Sequence, residues 1–272
     1  MHRLLVYGSP QQDRSAVAVW IAEALGRGEK VLYKHAPAEN AAAVLGRSLP
    51  QVGLHADVLT SGRVELLDTA VVHAATDGRH ERLYDLHREQ LTHAAREGFT
   101  GLALTGDEAA MHTVTRDDTE LAGYERDIER LAADSGVRSL CRYPAGERPA
   151  LLADMLAVHH RAVEDNDWAA EMAGDRLRVR GEIDASNADR FATVLHAGVA
   201  DGLRLVDLSG LRFCALAGVR ALASASASLA DPQHGVAPLA LVEVNPGLVK
   251  LLTLTGFADN PGLQLIERSR RP

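Results

Sequence analysis

The stretch Val206-Asp-Leu-Ser-Gly-Leu-Arg-Phe-Cys-Ala-Leu-Ala-Gly-Val-Arg-Ala-Leu222 decides how the second half of this chain is read. Val206 and Leu208 flank a lone Asp207, which predicts a buried strand from Leu203 that ends at Asp207–Leu208. Ser209-Gly210 is turn chemistry, so a short loop should follow. Phe213 is expected to anchor that loop to a core, and Leu216 should open a helix that runs to about Leu229.

The surroundings fit a small α/β unit. Upstream, Leu177-Arg-Val179 and Gly181-Glu-Ile-Asp184 read as a strand pair or one bent strand. Ser186-Asn187 is placed to cap a helix with Ala188, Phe191, Val194 and Leu195 on one side. Downstream come a loop over Asp231–Gly235, a strand over Pro238–Val242, a helix over Pro246–Leu254 stopped by Gly256, and a strand over Leu263–Ile266.

Three motifs in this order, Gly181-Glu-Ile-Asp184, Asp207-Leu-Ser209 and Leu254-Thr-Gly-Phe257, resemble the STAS domains of anti-sigma factor antagonists. The resemblance covers about 175–267 and implies a mixed sheet with helices. The family loop runs roughly Asp-Leu-Ser-x-Leu-x-Phe-x-Asp-Ser-Ser-Gly-Leu. Here Ala215-Leu216-Ala217-Gly218 stands for its Asp-Ser-Ser-Gly core, and the Ser that family members phosphorylate has become Leu216. Phosphate at a helix start is favoured by free N–H groups and the dipole, and its charge disrupts docking. Leu216 has no hydroxyl, so the resemblance implies partner binding without that switch. Ala215, Leu216, Ala217 and Gly218 become candidate partner contacts, joined by Asp184, Ser186 and Asn187 from the neighbouring loop of the family fold.

The first half alternates strands and helices. Strands are read over Arg3–Tyr7, Lys30–Tyr33, Ala56–Thr60, Val64–Leu67, Gly101–Leu104 and Val137–Tyr143. Helices are read over Gln11–Arg27, Pro37–Leu45, from the stretch after Arg79 to about Glu97, over Thr119–Asp134 and over Pro149–Val163. Such repetition predicts a mainly parallel sheet between helices, with any ligand at the carboxyl ends of the strands. Those ends include Gly8-Ser9, His35 and Asp107. His2, Gly8, Ser9, Arg14, His35 and Asp107 are therefore the candidate ligand contacts, with His2, His35 and Asp107 expected to line one polar pocket. Glu164-Asp-Asn-Asp167 reads as an acidic linker, which divides the chain into residues 1–165 and 174–270.

Several residues make the first half similar to the MEDS domain, a RecA-like sensory domain of bacterial regulators. They are His2 and Tyr7 around the first strand, Leu25-Gly-Arg-Gly-Glu29, Thr105-Gly-Asp107, Tyr124-Glu125 and Leu140-Cys-Arg-Tyr143. The similarity spans about residues 2–160 and implies recognition of a small molecule. The family usually has a Trp after the Gly-Asp corner, where this chain has Glu108-Ala-Ala-Met111.

Composition narrows the remaining chemistry. The 272 residues are 46% hydrophobic, 24% charged and only 4% aromatic, as expected for two soluble domains packed on Leu, Val and Ala. A net charge of −8 argues against direct nucleic-acid binding, and the basic tail Arg268-Ser-Arg-Arg271 reads as a solvated end. Cys141 and Cys214 read as buried thiols in a reducing compartment. With no leader or membrane-length apolar run, a cytoplasmic location is expected. Gly8-Ser-Pro-Gln-Gln-Asp-Arg-Ser15 lacks the second Gly and the Lys of a phosphate cradle, although Arg14-Ser15 could imitate its end. The 12 histidines show no metal-ligand spacing, and neither cysteine sits in a nucleophile motif. The expectation is a non-enzymatic regulator with no cofactor and no metal, which binds an anti-sigma factor or related protein and senses a small molecule. It could also form a homodimer. The alternatives are a slow nucleotide-hydrolysing RecA-like protein and a degenerate interaction scaffold.

Overall fold

A computed structural model of the chain describes residues 1–37, 39–146, 148–227, 229 and 237–267. The chain separates into two compact units, Met1–Met155 and Leu156–Pro272. The expected loop over 231–235 and the basic tail over 268–271 lie outside the described residues.

The first unit is built on five parallel strands, β1 (His2–Tyr7), β2 (Lys30–His35), β3 (Val64–Asp68), β4 (Leu102–Asp107) and β5 (Arg138–Pro144). They lie in the order β1-β5-β4-β2-β3. Helix α1 (Pro10–Gly26) begins where Ser9 accepts a hydrogen bond from the Gln12 N–H and Pro10 presets the first turn. Its Val17, Trp20, Ile21, Ala24 and Leu25 recur at helical spacing and are buried. They pack on Leu5, Val31, Tyr33, Ala103 and Leu140 of the sheet and on Ala41 and Leu45 of α2 (Ala41–Ser48). Each fully buried Leu or Ile side chain in such a cluster contributes about 1.5–3 kcal/mol. The opposite face meets α4 (His80–Arg96) and α6 (Asp118–Ser135).

Several expectations in this unit are corrected. Helix α2 starts at Ala41, because the Asn40 side chain accepts from the Ala43 N–H and marks the start. The strand expected at Ala56–Thr60 is a short 3-10 turn over Ala56–Leu59, closed by Thr60 N–H to Asp57 C=O at 3.0 Å. Two short helices went unread, α3 (Thr69–Thr76) and α5 (Glu108–Val114). Each is started by an Asp at a strand end: Asp68 accepts from Ala70 N–H and Asp107 from Ala110 N–H. Helix α7 (Pro149–Val158) stops before Val163, which belongs to a strand.

The second unit contains β6 (Ala162–Glu164), β7 (Trp168–Ala173), β8 (Arg176–Ile183), β9 (Leu205–Cys214), β10 (Leu239–Val244) and β11 (Leu263–Glu267). The order is β11-β10-β9-β8-β7-β6, antiparallel across β6–β7–β8 and parallel from β8 to β11. Strand β8 alternates strictly, with Leu177, Val179, Gly181 and Ile183 buried and Arg176, Arg178, Arg180 and Glu182 exposed. Helices α8 (Ala188–Ala200) and α9 (Leu216–Ala227) pack on each other and on β8 and β9, and α10 (Pro246–Leu254) follows β10. Phe191 of α8 meets Trp168 edge to face at 5.4 Å.

Here too the sequence reading is corrected. Glu164–Asp167 is no linker but the turn of the β6–β7 hairpin. Asp165 accepts from Trp168 Nε1 at 3.0 Å and pairs with Arg190 at 2.6 Å. Strand β9 does not end at Leu208; it continues through Cys214 with irregular register against β8. Gly210 lies inside the strand, where a Cβ would stand 2.9 Å from that of Arg180. Its glycine answers a close strand approach, not a turn. Gly181 combines both needs: φ is +97°, and a Cβ would meet the Asp167 carbonyl oxygen at 2.1 Å. Phe213 anchors nothing and is 50% exposed.

Candidate functional site

In the first sheet β2 and β4 are neighbours, yet the chain leaves β2 towards β3 on one side and β4 towards β5 on the other. Such a switch point opens a crevice at the carboxyl ends of the strands. His35 and Asp107, the last residues of β2 and β4, come to this edge as expected. Beside His35, on the β3 side of β2, a cavity of about 410 Å³ is lined by His35, Glu39, Asn40, Ala41, Ala42 and Leu66. Tyr33 donates its hydroxyl hydrogen bond to Glu39 at 2.9 Å. Burial holds the Glu39 carboxyl above its ordinary pKa against the opposing effect of that bond.

Arg142 of β5 is 1% exposed. Its Nη1 reaches both oxygens of Asp13 on α1, at 2.9 and 2.7 Å, and its guanidinium lies 5.3 Å from the centre of the Tyr33 ring. Its Nε and Nη2 are buried and have no hydrogen-bond partner among the described residues. Burial opposes its charge, but Asp13, Tyr33 and Asp107 outweigh that and raise its pKa. In the sequence Arg142 is one residue of the Leu140–Tyr143 motif, with no local signal that sets it apart.

The other candidates sit differently. His2 begins β1, at the amino end of its strand, so it does not share the edge of His35 and Asp107. Gly8 and Ser9 hold the β1–α1 turn: Gly8 N–H donates to Gln12 Oε1 at 2.9 Å and Ser9 caps α1. Arg14 is exposed on α1. The Gly8, Gln12 and Asp13 N–H groups are thus bonded within the turn.

His2 instead enters a buried polar cluster beneath α6. Its Nε2 lies 3.1 Å from Glu125 Oε2 and 3.3 Å from Cys141 Sγ, and its Nδ1 lies 3.1 Å from Glu129 Oε2. Cys141 Sγ is 3.0 Å from the same Glu125 oxygen, and Tyr143 donates to the other at 3.1 Å. Nitrogen, sulfur and oxygen thus converge as a donor set a transition metal could use. Burial alone would lower the His2 pKa, but Cys141 and both glutamates carry it well above its ordinary value. On the same side Lys34 donates to the Tyr124 hydroxyl and lies 4.7 Å from its ring centre, while His87 Nε2 is 3.3 Å from that hydroxyl. Burial lowers Lys34 to about 8, partly opposed by Cys141 and Glu125. Burial and Lys34 together hold His87 well below its ordinary pKa. The signal for this cluster was available: Glu125 falls on the apolar stripe Leu121, Tyr124, Ile128 of α6, where a charge needs buried partners.

In the second unit Ala215 alone joins β9 to α9, its N–H bonded to the Ile183 carbonyl at 2.8 Å. Leu216 opens α9 and is 37% exposed beside the half-exposed Phe213. Ala217 is half-buried. Gly218 is buried where a Cβ would lie 2.7 Å from Cys214 Sγ and from Ile183 Cγ2. Burial pushes the Cys214 thiol up to about 12, which leaves it a neutral packing group. Asp184 accepts from the N–H and hydroxyl of Ser186, at 2.8 and 2.7 Å. Asn187 makes no side-chain cap to α8; it is buried, accepts from Asp184 N–H and donates to the Glu182 carbonyl. Asp184 and Ser186 therefore remain at the surface of this loop, and Asn187 holds it from beneath.

No described helix is long and apolar enough to cross a membrane. A search of curated proteins found no match to the chain. Residues 168–267 match the family described as "Mlab, STAS domain". Residues 1–160 match "MEDS: MEthanogen/methylotroph, DcmR Sensory domain". The chain therefore belongs to the MEDS family, with a STAS domain following its sensory domain.

Proposed function

We propose that this chain is a non-catalytic regulator in which the first unit recognises a small molecule and the second docks on an anti-sigma factor or related protein without a phosphorylation switch. The observation that carries the reading is Leu216, a partly exposed apolar side chain with no hydroxyl at the first position of α9. Beside it, Phe213 gives an apolar surface that a protein partner could cover, and Asp184 and Ser186 supply polar contacts on the next loop. The cavity at the carboxyl end of β2 supports the sensory half, since it joins apolar Ala41, Ala42 and Leu66 to polar His35, Glu39 and Asn40.

The test is to mix the full chain with anti-sigma kinases and ATP and to follow both complex formation and phosphate. A complex is expected, with residues 207–218 unmodified. Stoichiometric phosphate within 207–218 would overturn the unswitched reading. The sensory half is checked by thermal melting against small metabolites, with binding expected to raise the melting temperature and Glu39→Ala expected to remove the rise.

A further inference from the structure

We propose that His2, Glu125 and Cys141 form a zinc site inside the first unit. Glu129 Oε2 stands 3.1 Å from His2 Nδ1, and a carboxylate can only accept, so Nδ1 donates there. The other ring nitrogen, Nε2, turns inward. It faces Glu125 Oε2 at 3.1 Å and Cys141 Sγ at 3.3 Å, and those two atoms stand 3.0 Å apart. A nitrogen, an oxygen and a sulfur thus meet at one point, each within reach of the other two.

A divalent cation suits this donor set. It takes the Nε2 lone pair, the Cys141 thiolate and the Glu125 carboxylate, and its two positive charges balance the two anions. The thiol proton, and any proton held between His2 and Glu125, leave to solvent. Zinc bonds to nitrogen, oxygen and sulfur are about 2.0–2.3 Å, so tetrahedral ligands stand roughly 3.3–3.7 Å apart. The observed edges need to open by only a few tenths of an ångström.

The atoms facing away from the triangle are also held. His2 Nδ1 is fixed by Glu129, and Glu125 Oε1 accepts from the Tyr143 hydroxyl at 3.1 Å. Partners of this kind set the tautomer of a ligating histidine and the orientation of a ligating carboxylate. The groups come from three well-packed elements, β1, β5 and α6, and His2, Glu125 and Cys141 are all buried. A second group, His80, Glu81 and Glu120, is partly exposed, with Glu81 at the surface.

The test uses the tag-free full chain, stripped with a chelator and titrated with Co²⁺ under reducing conditions. One cobalt per chain is expected, with a thiolate-to-cobalt charge-transfer band in the near ultraviolet that zinc abolishes by displacement. Cys141→Ser should lose that band, and Glu129→Gln should keep it with about ten- to a hundredfold weaker binding. The proposal is overturned if the unaltered chain shows no charge-transfer band at one equivalent, or if Cys141→Ser keeps the band. The first of these outcomes needs no variant to fold. Neither depends on a signalling partner, so the result stands apart from the fate of the regulatory reading.

Discussion

The α4/α6 face of the first unit sets buried polar groups among its apolar ones, whereas the α8/α9 face of the second is apolar. Beneath α6 and α4, the first unit encloses His2, Lys34, His87, Tyr124, Glu125, Cys141 and Tyr143. Beneath α8 and α9, the second encloses Leu177, Val179, Ile183, Phe191, Val194, Leu195, Val206, Leu208, Val219 and Leu222. An apolar face stabilises by leaving water, and tolerates any filling of the right volume. A polar face gains little net stability, because each desolvated group must recover its hydrogen bonds. A buried polar face is therefore specific where an apolar one is generic. The second unit carries its own individuality on the surface, at the β9–α9 junction.

Substitutions that conserve volume should break this contrast if it is false. Glu125→Gln keeps the shape but loses the charge facing His2 and Cys141, and should cost about 3 kcal/mol in denaturant unfolding. A loss below about 1 kcal/mol would make the two faces equivalent. Asp207 comes next. Burial opposes its charge, but the Ser209 N–H and Arg176 hold its pKa at about 2, below the ordinary 3.8. That stabilisation is present above about pH 4 and is lost as pH falls towards 2. Asp207→Asn should therefore cost about 2 kcal/mol at neutral pH, with the deficit closing in acid. A pH-independent deficit would show that the carboxylate acts through packing alone.

Smaller effects sharpen the other side. Phe191→Leu in the apolar face should cost about 1 kcal/mol, well under Glu125→Gln despite the larger change in shape. Leu216→Asp should change stability by less than about 0.5 kcal/mol, since the side chain is partly exposed at a helix start where an acid suits the dipole. The same variant should weaken capture of a protein partner at least tenfold by surface plasmon resonance, if the junction is the docking surface.

Much of the fold was legible because its signals are local. Ser9, Pro10 and the stripe from Val17 to Leu25 announce α1, and Pro246 to Leu254 marks α10 at its observed bounds. His35 and Asp107 could be placed at one sheet edge because strand ends in a parallel sheet share a side. The missed helices α3 and α5 are short, and each is announced by a single Asp that also ends a strand. The β6–β7 hairpin was read as a linker because acidic residues usually mark solvent, whereas Asp165 is buried against Trp168 and Arg190.

The sequence by itself determined the family signatures, the order of alternating elements and the loss of the hydroxyl at Leu216, since these depend on residue identity and short spacing. Only the tertiary structure decided that β9 runs on through Ser209-Gly210, because the close approach of β8 supplies the partners that a turn would have supplied. It alone also brought His2, Glu125 and Cys141 to one point, from separations of 123 and 16 residues. Residues that far apart leave no periodicity to read. Their meeting follows from β1 lying beside β5 under α6.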